Sequence, residues 1–410
     1  MSQSLADKLK SLGVKVGTSS LTQSRSKRGI PIEQVVEGQF VSTEFGETFI
    51  CENHYPLEYQ HGQSGIQLSA SMDVLAQWVG ETRLSGLPPE TLVFLDTETS
   101  GLAGGTGTYA FMVGVGRFEG NEFHLVQFFM RDPAEEPALL SALNDFLAPA
   151  QVLVTYNGKA FDAPLLRTRY RLHNAPIPFA DFIHIDLLPL ARRLWRERLP
   201  SRTLKYIEEN VLGAQRTSEE VPGYEIPYIY FDYLRTGDAS PLKGVFYHNS
   251  MDVVTLAALL NHTAHMLADP LHESIEHGLD RIALARLFED LGKWDEAAQV
   301  YERGLQDDLP EADFWQSVQR LSILQRRRGD LEAALSLWEK AAAEGHIYAH
   351  IELAKHYEHR RGDLVEALRW TLTARALVAE LSLPIHVRKH WLDEIDHRRG
   401  RLERKTTPRS

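Results

Sequence analysis

An apolar run, Leu92 to Leu95, ends in Asp96-Thr97-Glu98 within the stretch LVFLDTETSGLAGGTG. The run reads as a buried strand, and strand alternation puts the two carboxylates on the same side. Two close carboxylates repel, and a divalent cation relieves that repulsion. Two further acids stand in comparable places. Asp162 lies in YNGKAFDAPLLRTR, at the start of a helical pattern, and Asp252 lies in YHNSMDVVTLAAL, at the start of a long apolar one. Taken singly, each suits a helix N-terminus, where an acid stabilises the dipole. Taken together, Asp96, Glu98, Asp162 and Asp252 supply the oxygens that a pair of Mg²⁺ or Mn²⁺ ions needs, alongside water and substrate phosphate.

The elements that must position these acids can be read from the flanking pattern. Strand-like runs cover Leu92–Leu95, Tyr109–Arg117, Glu122–Met130, Val152–Tyr156 and Phe182–Ile185, and Pro137–Phe146 and Phe161–Leu172 have helical spacing. Strands come first as a meander, with a turn at Phe118-Glu119-Gly120-Asn121, and then alternate with helices. That order predicts an α/β domain with a mixed five-stranded sheet and helices on both faces. Ligands in such sheets gather at the carboxyl ends of strands, where Asp96 and Glu98 stand. Ahead of it, Ile30 to Tyr59 reads as small β hairpins punctuated by Gly38 and Gly46, and Met72–Val79 as a short helix. Residues 1–28 are polar and Ser/Lys-rich, the composition of a mobile segment.

The chain has 410 residues, long enough for two or three domains, with 43% hydrophobic and 24% charged residues. Its net charge of −12 argues against non-specific coating of nucleic acid and leaves room for a local basic groove. A single cysteine, Cys51, excludes an internal disulfide and a cysteine zinc site, which suits a reducing cytoplasm. No apolar run approaches membrane-spanning length, and the first residues lack the apolar core of a signal peptide.

Three ordered motifs, DTETSGLAGGTGTY, NGKAFDAPLL and HNSMDV, resemble the DEDD 3′–5′ exonucleases of the ribonuclease H-like superfamily, in wording closest to a bacterial branch of predicted exonucleases. The resemblance runs from about Leu92 to His265. It implies that Asp96, Glu98, Asp162 and Asp252 hold two Mg²⁺ or Mn²⁺ ions for in-line hydrolysis of a terminal phosphodiester, with a single-stranded 3′ end as substrate. The family carries a tyrosine four residues before the last acid, or a histidine five before. Here the two are reversed, with His248 four before Asp252 and Tyr247 five before. Residues four apart share a helix face, and histidine titrates nearer neutrality, so His248 is expected to be the base or water-orienting residue. An N-cap at Asn249 would instead leave His248 in a loop.

Other residues carry weaker expectations. Asn157 and Lys159 stand where they could touch a phosphate, although Asn and Gly are common in any strand-to-helix turn. Asp186 reads as an N-cap. The Gly101–Thr108 loop lacks the Walker GK[ST] and could cradle a nucleotide end. Arg192, Arg193, Arg196, Arg198, Arg202 and Lys205 face one acid, Glu197, in a run that fits either a phosphate-tracking groove, with Arg192 and Arg196 as contacts, or a solvated helix face.

Past Pro270 the text is helical and repeats. GKWDEAAQVYERG begins at Gly292, GDLEAALSLWEKA at Gly329 and GDLVEALRWTLTA at Gly362. Alanines at 297, 334 and 367 and small residues at 304, 341 and 374 hold the same offsets, while Tyr301 and Trp338 give way to Thr371 in the third copy. This looks like tetratricopeptide repeats, whose period is about 34, with His386 to Arg404 as a capping helix. The expected domains are 1–90, an N-terminal segment with hairpins; 91–268, the exonuclease domain; and 275–404, the repeats, with residues 1 to about 270 able to fold alone. The rival readings are a protein-binding scaffold, its repeats holding a partner beside a non-catalytic nuclease fold, and a structure-specific endonuclease on the same residues.

Overall fold

The computed structural model describes residues 29–101 and 107–406. The expected mobile N-terminal segment and most of the Gly-rich cradle lie outside the described residues. Among the described residues nine strands occur, in chain order: β1 (Gln39–Thr43), β2 (Gly46–Pro56), β3 (Gln60–His61), β4 (Ser64–Gly65), β5 (Leu92–Thr99), β6 (Ala110–Glu119), β7 (Glu122–Phe129), β8 (Val152–Thr155) and β9 (Ile183–Asp186). Seven of them form one mixed sheet in the order β1-β2-β7-β6-β5-β8-β9, and β3 and β4 pair separately. β5 pairs antiparallel with β6 and parallel with β8, so it is covered on both edges. Its unbroken apolar run, Leu92 to Leu95, is accordingly buried throughout.

The sheet is wider than the five strands expected. The hairpin of β1 and β2 pairs with β7 from Phe49↔Phe129 to Pro56↔Glu122, so residues assigned to a separate N-terminal region are sheet strands. The alternation in FICENHY that suggested a free hairpin is that of a strand with one neighbour on each side. The core it helps close is aromatic: Phe111 stacks on Tyr230 at 3.9 Å, and the Tyr230 hydroxyl donates to the Met130 carbonyl at 3.0 Å. Each such buried ring contributes on the order of 1.5–3 kcal/mol of transfer free energy.

The described chain divides into two compact units. The first comprises residues up to 67, 87–187 and 208–259 and contains the seven-stranded sheet. The second comprises 68–86, 188–207 and residues from 260 onward, and is helical. Its helices include Gly278–Asp290, Trp294–Gly304, Glu311–Arg328, Leu331–Ala343, Ile347–His356, Leu364–Glu380 and Ile385–Thr406. The repeated glycines Gly292, Gly329 and Gly362 all have positive φ (74°, 88° and 69°) and turn the chain between helices, a conformation that disfavours any Cβ. Ala297, Ala334 and Ala367 are fully buried, and so, within 2% of exposure, are Tyr301, Trp338 and Thr371. Thr371 keeps its place in the core by donating its hydroxyl to the Ala367 carbonyl at 2.7 Å.

This division differs from the linear one expected, because the second unit takes two segments from the middle of the first. Within it, Arg198 donates to Asp280 at 2.9 Å, Trp195 lies against His262, and the Ser69 amide donates to Asn261. A chain ending at residue 270 loses Asp280, the partner of Arg198, and the rest of the unit to which residues 68–86 and 188–207 belong. Such a truncation is expected to be poorly soluble and to melt well below the full chain. A truncated protein with the full chain's melting temperature in circular dichroism would overturn this.

Candidate metal and catalytic centre

Asp96 and Glu98 lie on the same face near the carboxyl end of β5, opposite Gly114 and Met112 of β6. Asp162 opens the helix Asp162–Leu172 that follows β8, and its Oδ1 accepts a hydrogen bond from the Thr97 hydroxyl. Asp252 lies within the helix Leu242–Ala268. That helix begins ten residues before Asp252, so Asn249 is no N-cap, and His248 shares a continuous helix face with Asp252. Residues 242–251 give weak sequence signal for helix because Gly244, Asn249 and Ser250 interrupt the apolar pattern.

The tightest grouping is Glu98, His248 and Asp252, whose ligating atoms all lie within 4.8 Å of one another. Asp96 and Asp162 stand outside that trio yet act on it electrostatically. Burial, and then the charges of Asp252, Glu98 and Asp162, hold Asp96 protonated well above the usual carboxylate range. Burial likewise pushes Glu98 up to about 7, against the stabilising charge of His248. Burial also raises Asp162, although the Thr97 hydroxyl works the other way. Burial disfavours the His248 cation, but the Glu220 hydrogen bond and the charges of Asp252 and Glu98 outweigh it and raise its pKa to about 9. Asp96, Glu98 and Asp162 thus resist ionising together in this pocket without a compensating positive charge.

Several side chains that sequence reasoning did not assign to the site fix this arrangement. Asn249, fully buried, donates its amide to Asp96 Oδ2 at 2.9 Å, and its own Oδ1 accepts from Gln127 at 3.0 Å. A Cβ on Gly114 would meet Asn249 Oδ1 at 2.1 Å, so only glycine lets β6 pass here. Gly114→Ala is therefore expected to push Asn249 off Asp96 and lower stability by roughly 1–3 kcal/mol, read as a fall in melting temperature. An unchanged melting temperature would mean that the close approach is absent. Arg216, 3% exposed at its side chain, pairs with Asp252, with Glu208 at 2.7 Å and with Glu220 at 3.1 Å. Glu220 also holds His248 Nδ1 at 2.9 Å, which turns Nε2 toward Asp252 Oδ2 at 3.4 Å. The only sequence hint of this cluster is the four-residue spacing of Arg216 and Glu220.

Tyr247 points elsewhere. Its hydroxyl accepts the Thr217 amide at 2.8 Å, at the surface. Asp186, directly ahead of the helix Leu187–Trp195, has a further task besides the capping expected of it. Its carboxylate accepts the amides of Asn157 (2.7 Å) and Lys159 (3.1 Å) and so holds the turn that leads into Asp162. Asn157 adopts φ 66°, which asparagine tolerates better than most residues, and Lys159 is exposed. Arg192 and Arg196 are exposed residues of the helical unit. Within the same basic run, Arg193 pairs with Asp290, Arg198 with Asp280, and Arg202 donates to the carbonyls of Leu199 and Pro200.

Four carboxyl groups gathered in one pocket, three of them reluctant to ionise there without a cation, fit hard divalent ions, for which oxygen is the preferred donor. Asp96, Glu98, Asp162 and Asp252 are the residues that could hold them. Residues 93–264, which include the four acids, match the model of the RNase_H superfamily. The chain is also 34% identical over 333 residues to the uncharacterized protein YprB of Bacillus subtilis (strain 168), covering 78% of each chain. It belongs to one family with that protein, and residues 93–264 form a domain of the RNase_H superfamily, whose fold is generally nucleolytic. A family B DNA polymerase from Pyrobaculum calidifontis aligns over half of this chain and 30% of its own, at 16% identity and a TM-score of 0.33. Among the described residues, no helix is long and apolar enough to cross a membrane.

Proposed function

We propose that this chain is a cytoplasmic, metal-dependent 3′–5′ exonuclease of the DEDD type, acting on single-stranded nucleic acid. The reading rests on the convergence of Asp96, Glu98, Asp162 and Asp252, whose charges act on one another, at the carboxyl end of β5. Two Mg²⁺ or Mn²⁺ ions bound there would supply an activated water and neutralise charge on the phosphate. The remaining work falls to the chain. Asn249 fixes the rotamer of Asp96, and Thr97 that of Asp162. Glu220 takes the Nδ1 side of His248, leaving Nε2 free to orient a water or accept its proton beside Asp252. The half-buried Asn157 and exposed Lys159, in the turn before Asp162, are offered as phosphate contacts, and so, separately, are the exposed Arg192 and Arg196 of the helical unit. The helical unit, with its glycine-alanine spacing, is read as tetratricopeptide-like and as the place for a protein partner.

The test uses purified full-length protein with end-labelled single-stranded DNA and RNA, in Mg²⁺, Mn²⁺ or EDTA. A ladder from the 3′ end that EDTA abolishes is the expected result, and comparison of the two substrates reads any dependence on the 2′-hydroxyl. A single internal cut would replace the proposal with an endonuclease. No cleavage, with Mg²⁺ binding intact, would leave the scaffold reading.

A further inference from the structure

A second cluster of potential ligands stands on the other face of the sheet. The register sets Asp96, Gly114, Gln127 and Cys51 in one row across β5, β6, β7 and β2. Strand alternation then sends Glu52 and His54 of β2, and His124 of β7, to the opposite face. His54 and His124 are direct cross-strand partners, and their rings stack at 4.5 Å with 8° between planes. Both Nε2 atoms approach the same carboxylate oxygen. His124 Nε2 lies 3.1 Å from Glu52 Oε2, and His54 Nε2 lies 4.0 Å from it. Among the described residues, this trio and Glu98–His248–Asp252 are the two groups of three whose ligating atoms all fall within 4.8 Å.

We propose that Glu52, His54 and His124 form a second metal site, selective for a zinc-like d-block dication. With metal–ligand distances of about 2.0–2.2 Å, the edges of a tetrahedron are about 3.3–3.6 Å, and the two separations from Glu52, 3.1 and 4.0 Å, bracket that range. Glu52 and His54 each have an outer hydrogen-bond partner, and His124 has a carboxylate nearby. Glu52 Oε1 accepts from Gln39 at 2.8 Å, His54 Nδ1 is 2.8 Å from Glu122 Oε1, and His124 Nδ1 is 3.3 Å from Glu119 Oε2. A carboxylate behind each Nδ1 favours the proton there and leaves the Nε2 lone pair for a metal, the arrangement that recurs around zinc. Two imidazoles and one carboxylate suit Zn²⁺, Ni²⁺ or Cu²⁺ far better than Mg²⁺. Three protein ligands leave the fourth position to water, and His54, 47% exposed at its side chain, gives the ion a way in. An ion held here ties β2, and with it the β1–β2 hairpin, to β7.

The proposal is independent of the nuclease reading and is tested apart from it. The full chain carrying Asp96→Asn and Asp162→Asn is titrated with Co²⁺, followed by visible absorption, and then with Zn²⁺ in competition. One equivalent of Co²⁺, displaced by Zn²⁺ and unaffected by excess Mg²⁺, is expected. In that background His54→Ala or His124→Ala should remove the signal, and Glu122→Gln should weaken binding by about 10- to 100-fold. His54 is exposed enough that its loss should leave the circular dichroism spectrum unchanged. No saturable Co²⁺ or Zn²⁺ binding, or binding that both histidine variants leave intact, would overturn the site.

Discussion

Asparagine at Asp96 or Asp162 is expected to abolish cleavage while leaving the protein folded, and to raise its melting temperature in EDTA at neutral pH. Removing one ligand of a shared two-ion site loses the chemistry, not the fold. The stability effect follows from the charge balance. Asp96 and Glu98 have pKa values raised in the folded state, Glu98 to about 7, so folding favours their protonated forms. The stability they contribute is complete below the ordinary carboxylate range and is lost as pH rises, for Glu98 between about 4.5 and about 7. The parent's melting temperature in EDTA should therefore decline across that window, and Asp96→Asn should flatten the decline. Mg²⁺ should stabilise the parent and leave the double variant unmoved, because ligand binding to the folded state raises its stability. An undiminished Mg²⁺ shift in the double variant would show that the ion binds elsewhere.

His248→Ala is expected to lower kcat by about 10²–10⁴ while preserving the Mg²⁺ shift, and Tyr247→Phe to change little. The two neighbours differ in what they face. His248 Nε2 lies 3.4 Å from Asp252, whereas the Tyr247 hydroxyl is occupied by the Thr217 amide at the surface. Activity should rise with pH as His248 gives up its proton. Glu220→Gln removes the acid nearest the ring and should lower the His248 pKa, moving that limb to lower pH. Tyr247→Phe inactive with His248→Ala active would reverse the assignment. A limb that ignores Glu220→Gln would leave His248 a role in orienting water alone.

The strands and acids were legible because their signals are local. Leu92–Leu95 is a closed apolar run, the turn between β6 and β7 carries Gly120-Asn121, and each acid sits at a change of pattern. Partners that meet only in the fold were not legible. Asn249 reads as a cap because asparagine commonly is one, yet it serves Asp96 from inside a helix. The Arg216–Glu208–Glu220 cluster joins positions with no shared periodicity. The role of β2 was hidden for the same reason, since nothing within Gly46–Pro56 says that its neighbour is β7. The helical repeats showed their period plainly, whereas the two segments that join them from the middle of the chain, 68–86 and 188–207, carry no trace of it.

The hydrogen bond from Asn249 to Asp96 closes a loop of 153 residues. Bringing such distant positions together costs chain entropy that no local contact returns, so this part of the site cannot form ahead of the fold around it. The sheet must be paired across β5 and β6, and the long helix laid over it, before Asp96 acquires its neighbour. Divalent-ion affinity is then a property of the assembled unit and not of any fragment. A bound ion would act as a ligand for the whole unit, opposing its unfolding as one body rather than bracing a single loop.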